Sequence, residues 1–229
     1  HGLSDPQPGR TVLDWPDDIR QLADHLGAEQ FYVTGLSAGG PYALACAHQL
    51  PQRVLAAAVL DGGAPPDGLN RGEGVTFQLR LFRLAAQHFP AVLHLFRRQA
   101  YSAVNDGFDA NSLLAAFPAV ERQQLQTAHN LEMLLASVRE GYRQGWQGVA
   151  HDDVLVHRPW GFRIEDIRVR MHIWHGEMDS VFPLQHAQYL QRRIPNCQLT
   201  VWPGQGHLAG LGHWDEVLAA LASGEERRL

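Results

Sequence analysis

Between the β-rich run Phe31-Tyr32-Val33-Thr34 and an alanine-rich stretch from Pro41 to Leu50 lies the hexapeptide Gly35-Leu36-Ser37-Ala38-Gly39-Gly40. Few backbones accommodate it. A strand that bends this abruptly into a helix holds the residue at the bend, Ser37, in strained backbone angles. Its neighbours two before and two after, Gly35 and Gly39, are expected to be crowded, because the helix packs close onto the strand. Such a bend presents Ser37 Oγ at the carboxyl end of a sheet, where open α/β sheets bind ligands. The backbone N–H of Ala38, at the helix N-terminus, then points to where an oxyanion would form. The glycine spacing does not match G-x-G-x-x-G, and no Lys-Ser/Thr follows as in a phosphate loop. A nucleophile at a strand-to-helix bend is the remaining reading.

The surrounding pattern supplies a sheet for it. Trp15, Ile19, Leu22 and Leu26 form one apolar stripe at helical spacing, with Asp14 as a cap, Pro16 in the first turn and Gly27 at the stop. Val54 to Leu60 is continuously apolar, as a strand buried on both faces should be. Helix and strand in alternation predict a parallel sheet with crossovers. The Gly/Pro-rich stretch 62–68 marks a boundary, after which residues from about 70 to 160 read as helical. One stripe there is Phe77, Leu81 and Leu84; another is Leu131, Leu134, Leu135 and Val138. Alternation resumes with strands at Met171–Trp174 and Leu199–Trp202, a helix after Pro183 and a closing helix at Trp214–Leu221. The fold class expected is α/β, a parallel sheet with a helical insertion. Its parts are residues 1–65 (first part of the core), 66–163 (helical cap) and 164–229 (second part of the core).

A serine hydroxyl is a poor nucleophile near neutral pH, so it needs a base, and the base needs an orienting acid. His207 lies in the glycine-rich loop Pro203-Gly204-Gln205-Gly206 just after a late strand. That placement selects it from 13 histidines, with His213 the nearest rival. Asp179 follows the Met171–Trp174 strand and is the favoured acid. Glu177 in the same loop and Asp61, just past the Val54–Leu60 strand, compete with it. His151-Asp152-Asp153 with His157 carries ligand-type side chains but lacks the helical His pair with Glu of a zinc enzyme, and reads as a solvated linker. No metal and no cofactor are expected.

A formal charge of −5, with 19 Lys+Arg against 24 Asp+Glu, gives nucleic acid no reason to bind. No apolar run approaches the roughly 18 residues of a membrane-spanning helix, and no signal peptide is recognisable. Only Cys46 and Cys197 could form a disulfide; two distant cysteines in such a chain are read as free, with the cytoplasm as the default address.

With these residues in hand, the chain resembles the α/β-hydrolase superfamily, in particular small bacterial esterase-like members with a helical cap. Gly35 to Ala47 is similar to that family's nucleophile turn and helix. His175-Gly176-Glu177-Met178-Asp179 with Pro183 is similar to its acid loop, and Gly204-Gln205-Gly206-His207-Leu208 to its histidine loop. Arg158-Pro159-Trp160-Gly161-Phe162 is similar to the return from cap to sheet. The resemblance implies a Ser37–His207–Asp179 triad hydrolysing a small-molecule ester or related acyl substrate. His1-Gly2-Leu3-Ser4-Asp5 is similar to the loop after the family's fourth strand. On that alignment the first strands, on the order of 50 residues, would not be represented. The nucleophile strand would then have an open edge, fit for a homodimer. The oxyanion site would lack one donor, a loss of about 10²–10³ in turnover. A non-catalytic binding protein on the same scaffold is therefore the alternative, and cofactor-free haloperoxidase or perhydrolase chemistry a further one. Phe77, Phe82, Phe96 and Trp146 are expected to supply an apolar lining under the cap.

Overall fold

A computed structural model of the chain describes residues 1–69, 76–107, 109–115, 117–125 and 128–223. In chain order the elements are α1 (Trp15–His25), β1 (Phe31–Leu36), α2 (Gly40–Gln49) and β2 (Val54–Leu60). A helical segment follows: α3 (Phe77–His88), α4 (Pro90–Asn105), α5 (Ala110–Ala115), α6 (Ala119–Gln124), α7 (Ala128–Gly141) and α8 (Gln147–Val156). The chain closes with β3 (Arg170–Gly176), α9 (Gln185–Arg193), β4 (Cys197–Trp202) and α10 (Trp214–Ala222). The four strands form one parallel sheet in the order β1-β2-β3-β4, the α/β architecture expected from the alternation of elements.

β2 shows why the sheet holds. Its alternate residues point to opposite faces, and both faces are covered. Ala57 and Val59 join Leu44, Cys46, Met171, Ile173, Ala187 and Leu190 on the side of α2 and α9. Ala56, Ala58 and Leu60 join Trp174, Trp202, Val217 and Leu221 on the side of α10. β1 differs. It pairs with β2 alone among the described residues, and every residue of it except Gly35 is at least partly exposed.

Two helical stripes do not lie as expected. In α1, Trp15 and Ile19 pack against the core, but Leu22 and Leu26 stand 53% and 69% exposed. In α3, Phe77, Leu81 and Leu84 face solvent, and Leu79 and Ala86 are buried instead. Helical periodicity reveals that a stripe exists; which stripe is buried depends on what packs over it. For α3 the partners are α4 and α8, through a cluster of Ala86, Leu93 and Val154 with Phe82 at its margin.

The segment read as a solvated linker also departs from expectation. His151, Asp152 and Asp153 lie within α8. Asp152 accepts from Arg10, from Tyr42 Oη at 2.8 Å and from His1 Nε2 at 2.8 Å, and Asp153 pairs with Arg97 Nε at 2.5 Å. Partners from distant parts of the chain, invisible locally, turn these carboxylates inward. Cys46 and Cys197 are both free, and burial pushes each thiol up to about 12. No helix among the described residues is long and apolar enough to cross a membrane.

Candidate active site

The chemistry-bearing residues sit just beyond the carboxyl ends of the four strands, in spatial order: Ser37, Asp61, Asp179 and His207. At the first bend Ser37 adopts φ +52°, one of two non-glycine residues with positive φ among those described. The crowding falls on Gly35, where a Cβ would lie 2.3 Å from the carbonyl oxygen of Gly39. At Gly39, expected to be equally confined, a Cβ would meet nothing within 4 Å. It is the backbone of Gly39 that does the crowding. Ala38 is exposed and, with Ser37, lines the adjoining cavity.

Ser37 Oγ lies 2.7 Å from His207 Nε2. On the far side of the ring, His207 Nδ1 lies 2.8 Å from Asp179 Oδ2. Asp179 is held in turn: its Oδ1 accepts from the backbone N–H groups of Val181 at 2.8 Å and Phe182 at 2.9 Å. Burial disfavours a charged His207, but the hydrogen bond and charge of Asp179 outweigh it, and the imidazole pKa is raised above its ordinary 6.5.

Asp61, the rival acid, has a different place. It is fully buried at φ +49°. Its Oδ1 accepts from Gly176 N–H at 2.8 Å and its Oδ2 from Gly210 N–H at 3.1 Å, so it ties the start of the acid loop to the segment after His207. Burial pushes its carboxyl up to about 7, against the pull of those two N–H donors. Glu177 is exposed and accepts from Gly204 N–H at 2.9 Å. His213 stacks on Trp202 at 4.4 Å and bonds Gln205, away from Ser37. Asp61, His175 and Asp179 place ligand-type atoms within 4.8 Å of one another. These carboxylates are already occupied by the hydrogen bonds above, and His175 Nε2 donates to the carbonyl of Phe182 at 2.6 Å.

Glu121, on α6, escaped the sequence reading. It is buried, and its Oε1 accepts from the backbone N–H of His207 at 3.1 Å; Oε2 has no partner among the described residues. A Cβ on Gly206 would come within 2.6 Å of Oε1, so the glycine before His207 makes room for this carboxylate. The only local hint is an acidic residue early in a helix, which commonly signifies nothing more than the helix dipole.

A cavity of about 10 Å³, room for about one water, opens beside Ser37. Its walls include Ala64, Leu79, Val156, Trp160 and Phe182, with Arg83 and His157 as further polar members. The four aromatic residues expected as lining lie elsewhere. Phe77 is exposed, Phe82 and Phe96 meet edge-on at 5.8 Å, and Trp146 packs against His94.

A bend that strains a serine at the end of a parallel strand, facing a histidine from a later strand, defines a hydrolase-type α/β scaffold. The chain belongs to the alpha/beta hydrolase fold family, whose model matches residues 1–213. It is similar to RutD of Caulobacter sp. (strain K31), 28% identical over 205 residues, 90% of this chain and 68% of that protein. It is also similar to the pimeloyl-[acyl-carrier protein] methyl ester esterase of Aromatoleum aromaticum, 26% identical over 210 residues, 91% of this chain and 77% of that one. Among solved structures, a thermophilic esterase from Thermogutta terrifontis superimposes with a TM-score of 0.62 at 22% identity, covering 99% of this chain and 76% of that chain. The chain spans 59–77% of the length of these and other curated relatives.

Proposed function

We propose that the chain is a serine hydrolase of small carboxylic esters, with residues 66–163 as a cap over the site. In this reading Ser37 Oγ attacks the ester carbonyl as its proton passes to His207 Nε2. The tetrahedral oxyanion takes a hydrogen bond from the Ala38 backbone N–H. Collapse expels the alcohol, which leaves with the proton from His207. A water, deprotonated by the same ring, then cleaves the acyl-serine and restores the hydroxyl. Asp179 orients the imidazole and favours its charged form in both steps.

The observation that carries this reading is the unbroken relay Ser37 Oγ–His207 Nε2 at 2.7 Å and His207 Nδ1–Asp179 Oδ2 at 2.8 Å. The esterase named among the relatives supports the substrate class. The test is release of p-nitrophenol from p-nitrophenyl butyrate. Ser37→Ala is expected to lower turnover by roughly 10³-fold or more, and a fluorophosphonate probe is expected to label the wild type but not the variant. Equal turnover by the two proteins refutes the assignment. Absence of both turnover and labelling favours the non-catalytic binding scaffold.

A further inference from the structure

One charged side chain in the cavity has no work in the reaction just described. On α3, Leu79, Arg83 and Ala86 fall at steps of four and three, so Arg83 occupies the helix face that buries Leu79 and Ala86. A guanidinium is always charged at neutral pH and is seldom turned inward without a partner. The neighbouring part-buried arginines obey that rule. Arg97 pairs with Asp153, Arg10 with Asp152, and Arg158 donates to the carbonyl of Ala86. Arg83 makes no ion pair or hydrogen bond among the described residues, and its Nε is sealed from water without an acceptor. It lines the same cavity as Ser37, between walls that are mostly apolar. The other polar wall, His157, already bonds the carbonyl of Asp153 through Nδ1 at 2.8 Å, and burial lowers its pKa so that it stays neutral. The cavity therefore offers an anion one cation; the carboxylate whose charge reaches Arg83, that of Asp67, is exposed and lies outside the lining, with no ion pair to the guanidinium.

We infer that Arg83 is a specificity-determining residue that binds a carboxylate carried by the ester, so that the preferred substrates are monoanionic, such as half-esters of dicarboxylic acids. The inference rests on the ester-hydrolase reading and narrows its substrate class. A guanidinium presents two parallel N–H groups that match a carboxylate, and in a water-poor cavity such a charge-assisted pair is strong. The cavity is smaller than any ester, so the substrate enters by displacing the side chains around it. The anion then supplies the acceptor that Nε lacks among the described residues.

The experiment compares kcat/KM for mono-4-nitrophenyl glutarate with that for its uncharged methyl ester, which puts the charge on the acyl side. In parallel, 4-(butanoyloxy)benzoate is compared with its methyl ester, which puts the charge on the alcohol side. The wild type is expected to prefer the anion in one of these pairs, and that arm identifies the side. Arg83→Gln is expected to lower the preference ratio by roughly 10–100-fold, and Arg83→Lys to an intermediate extent. Arg80→Gln, exposed on the same helix, leaves the ratio unchanged. A wild type without preference in either pair, or a ratio indifferent to Arg83→Gln, overturns the inference while leaving the ester-hydrolase reading intact. Should Ser37-dependent turnover be absent altogether, that reading fails by itself, and binding decides the role of Arg83. Tighter binding of succinanilic acid than of butyranilide, lost in Arg83→Gln, then supports the anion site; equal binding overturns it.

Discussion

His207 and Asp61 are both buried, yet their protons respond to different forces. At His207 the carboxylate of Asp179 prevails over burial and the pKa rises above 6.5. At Asp61 burial prevails over two backbone N–H donors, and the carboxyl titrates at about 7. A general base acts in its neutral form, so raising its pKa moves the loss of activity to higher pH. The acid limb of kcat/KM for a neutral ester is therefore expected above pH 6.5, with activity falling as pH drops through it. A pH-rate profile that stays flat down to pH 6 would show that the imidazole is not held by Asp179 in solution. At this scale the sequence was informative where chemistry follows a strand end. Ser37, Asp179, His207 and Asp61 were all nominated that way, and the structure brings the first three into hydrogen-bonding contact. Between the two aspartates the sequence favours Asp179 by its loop, although each follows a strand end, and packing turns Asp179 toward the ring. Arg83 and Glu121 were not nominated, since their significance lies in what surrounds them.

Among the elements, α6 has a role out of proportion to its six residues. It brings Glu121 onto the backbone of His207 and Gln124 Nε2 to Gln205 Oε1 at 3.2 Å, so the helical segment grips the histidine loop itself. Removing the acceptor leaves a buried N–H unpaired, which costs about 1–3 kcal/mol. Glu121→Ala is expected to lose that much stability in urea denaturation. Glu121→Gln, which keeps a carbonyl oxygen as acceptor for that N–H, is expected to match the wild type. Equal losses in both variants would mean that the contact with His207 N–H carries none of the effect. The helices also mark where sequence reading ended. Continuous apolarity made β2 legible because a central strand is covered on both faces. α3 carried one apolar stripe at 77, 81 and 84 and another at 79 and 86, and only the neighbouring α4 and α8 decide between them.

Seen whole, the molecule is covered unevenly. β1 has a free edge among the described residues, and α1 shows Leu22 and Leu26 to solvent. Parallel strands are ordinarily enclosed, and an open edge invites pairing with another chain. Self-association that grows with concentration is the expected result by light scattering, and a clean monomer at high concentration would count against it.

Meanwhile the opposite side is laced together. Met178 N–H reaches the carbonyl of Gln205 at 2.7 Å, Glu177 N–H that of Trp202 at 3.0 Å, and Asp61 spans Gly176 and Gly210. The loops carrying Asp179 and His207 are thus fastened to each other, whereas Ser37 follows a strand that is paired on one side among the described residues. The two halves meet where Ser37 Oγ lies 2.7 Å from the His207 ring, and with Gly35 leaving no room for a side chain at the bend, a shift of either strand end is felt by both.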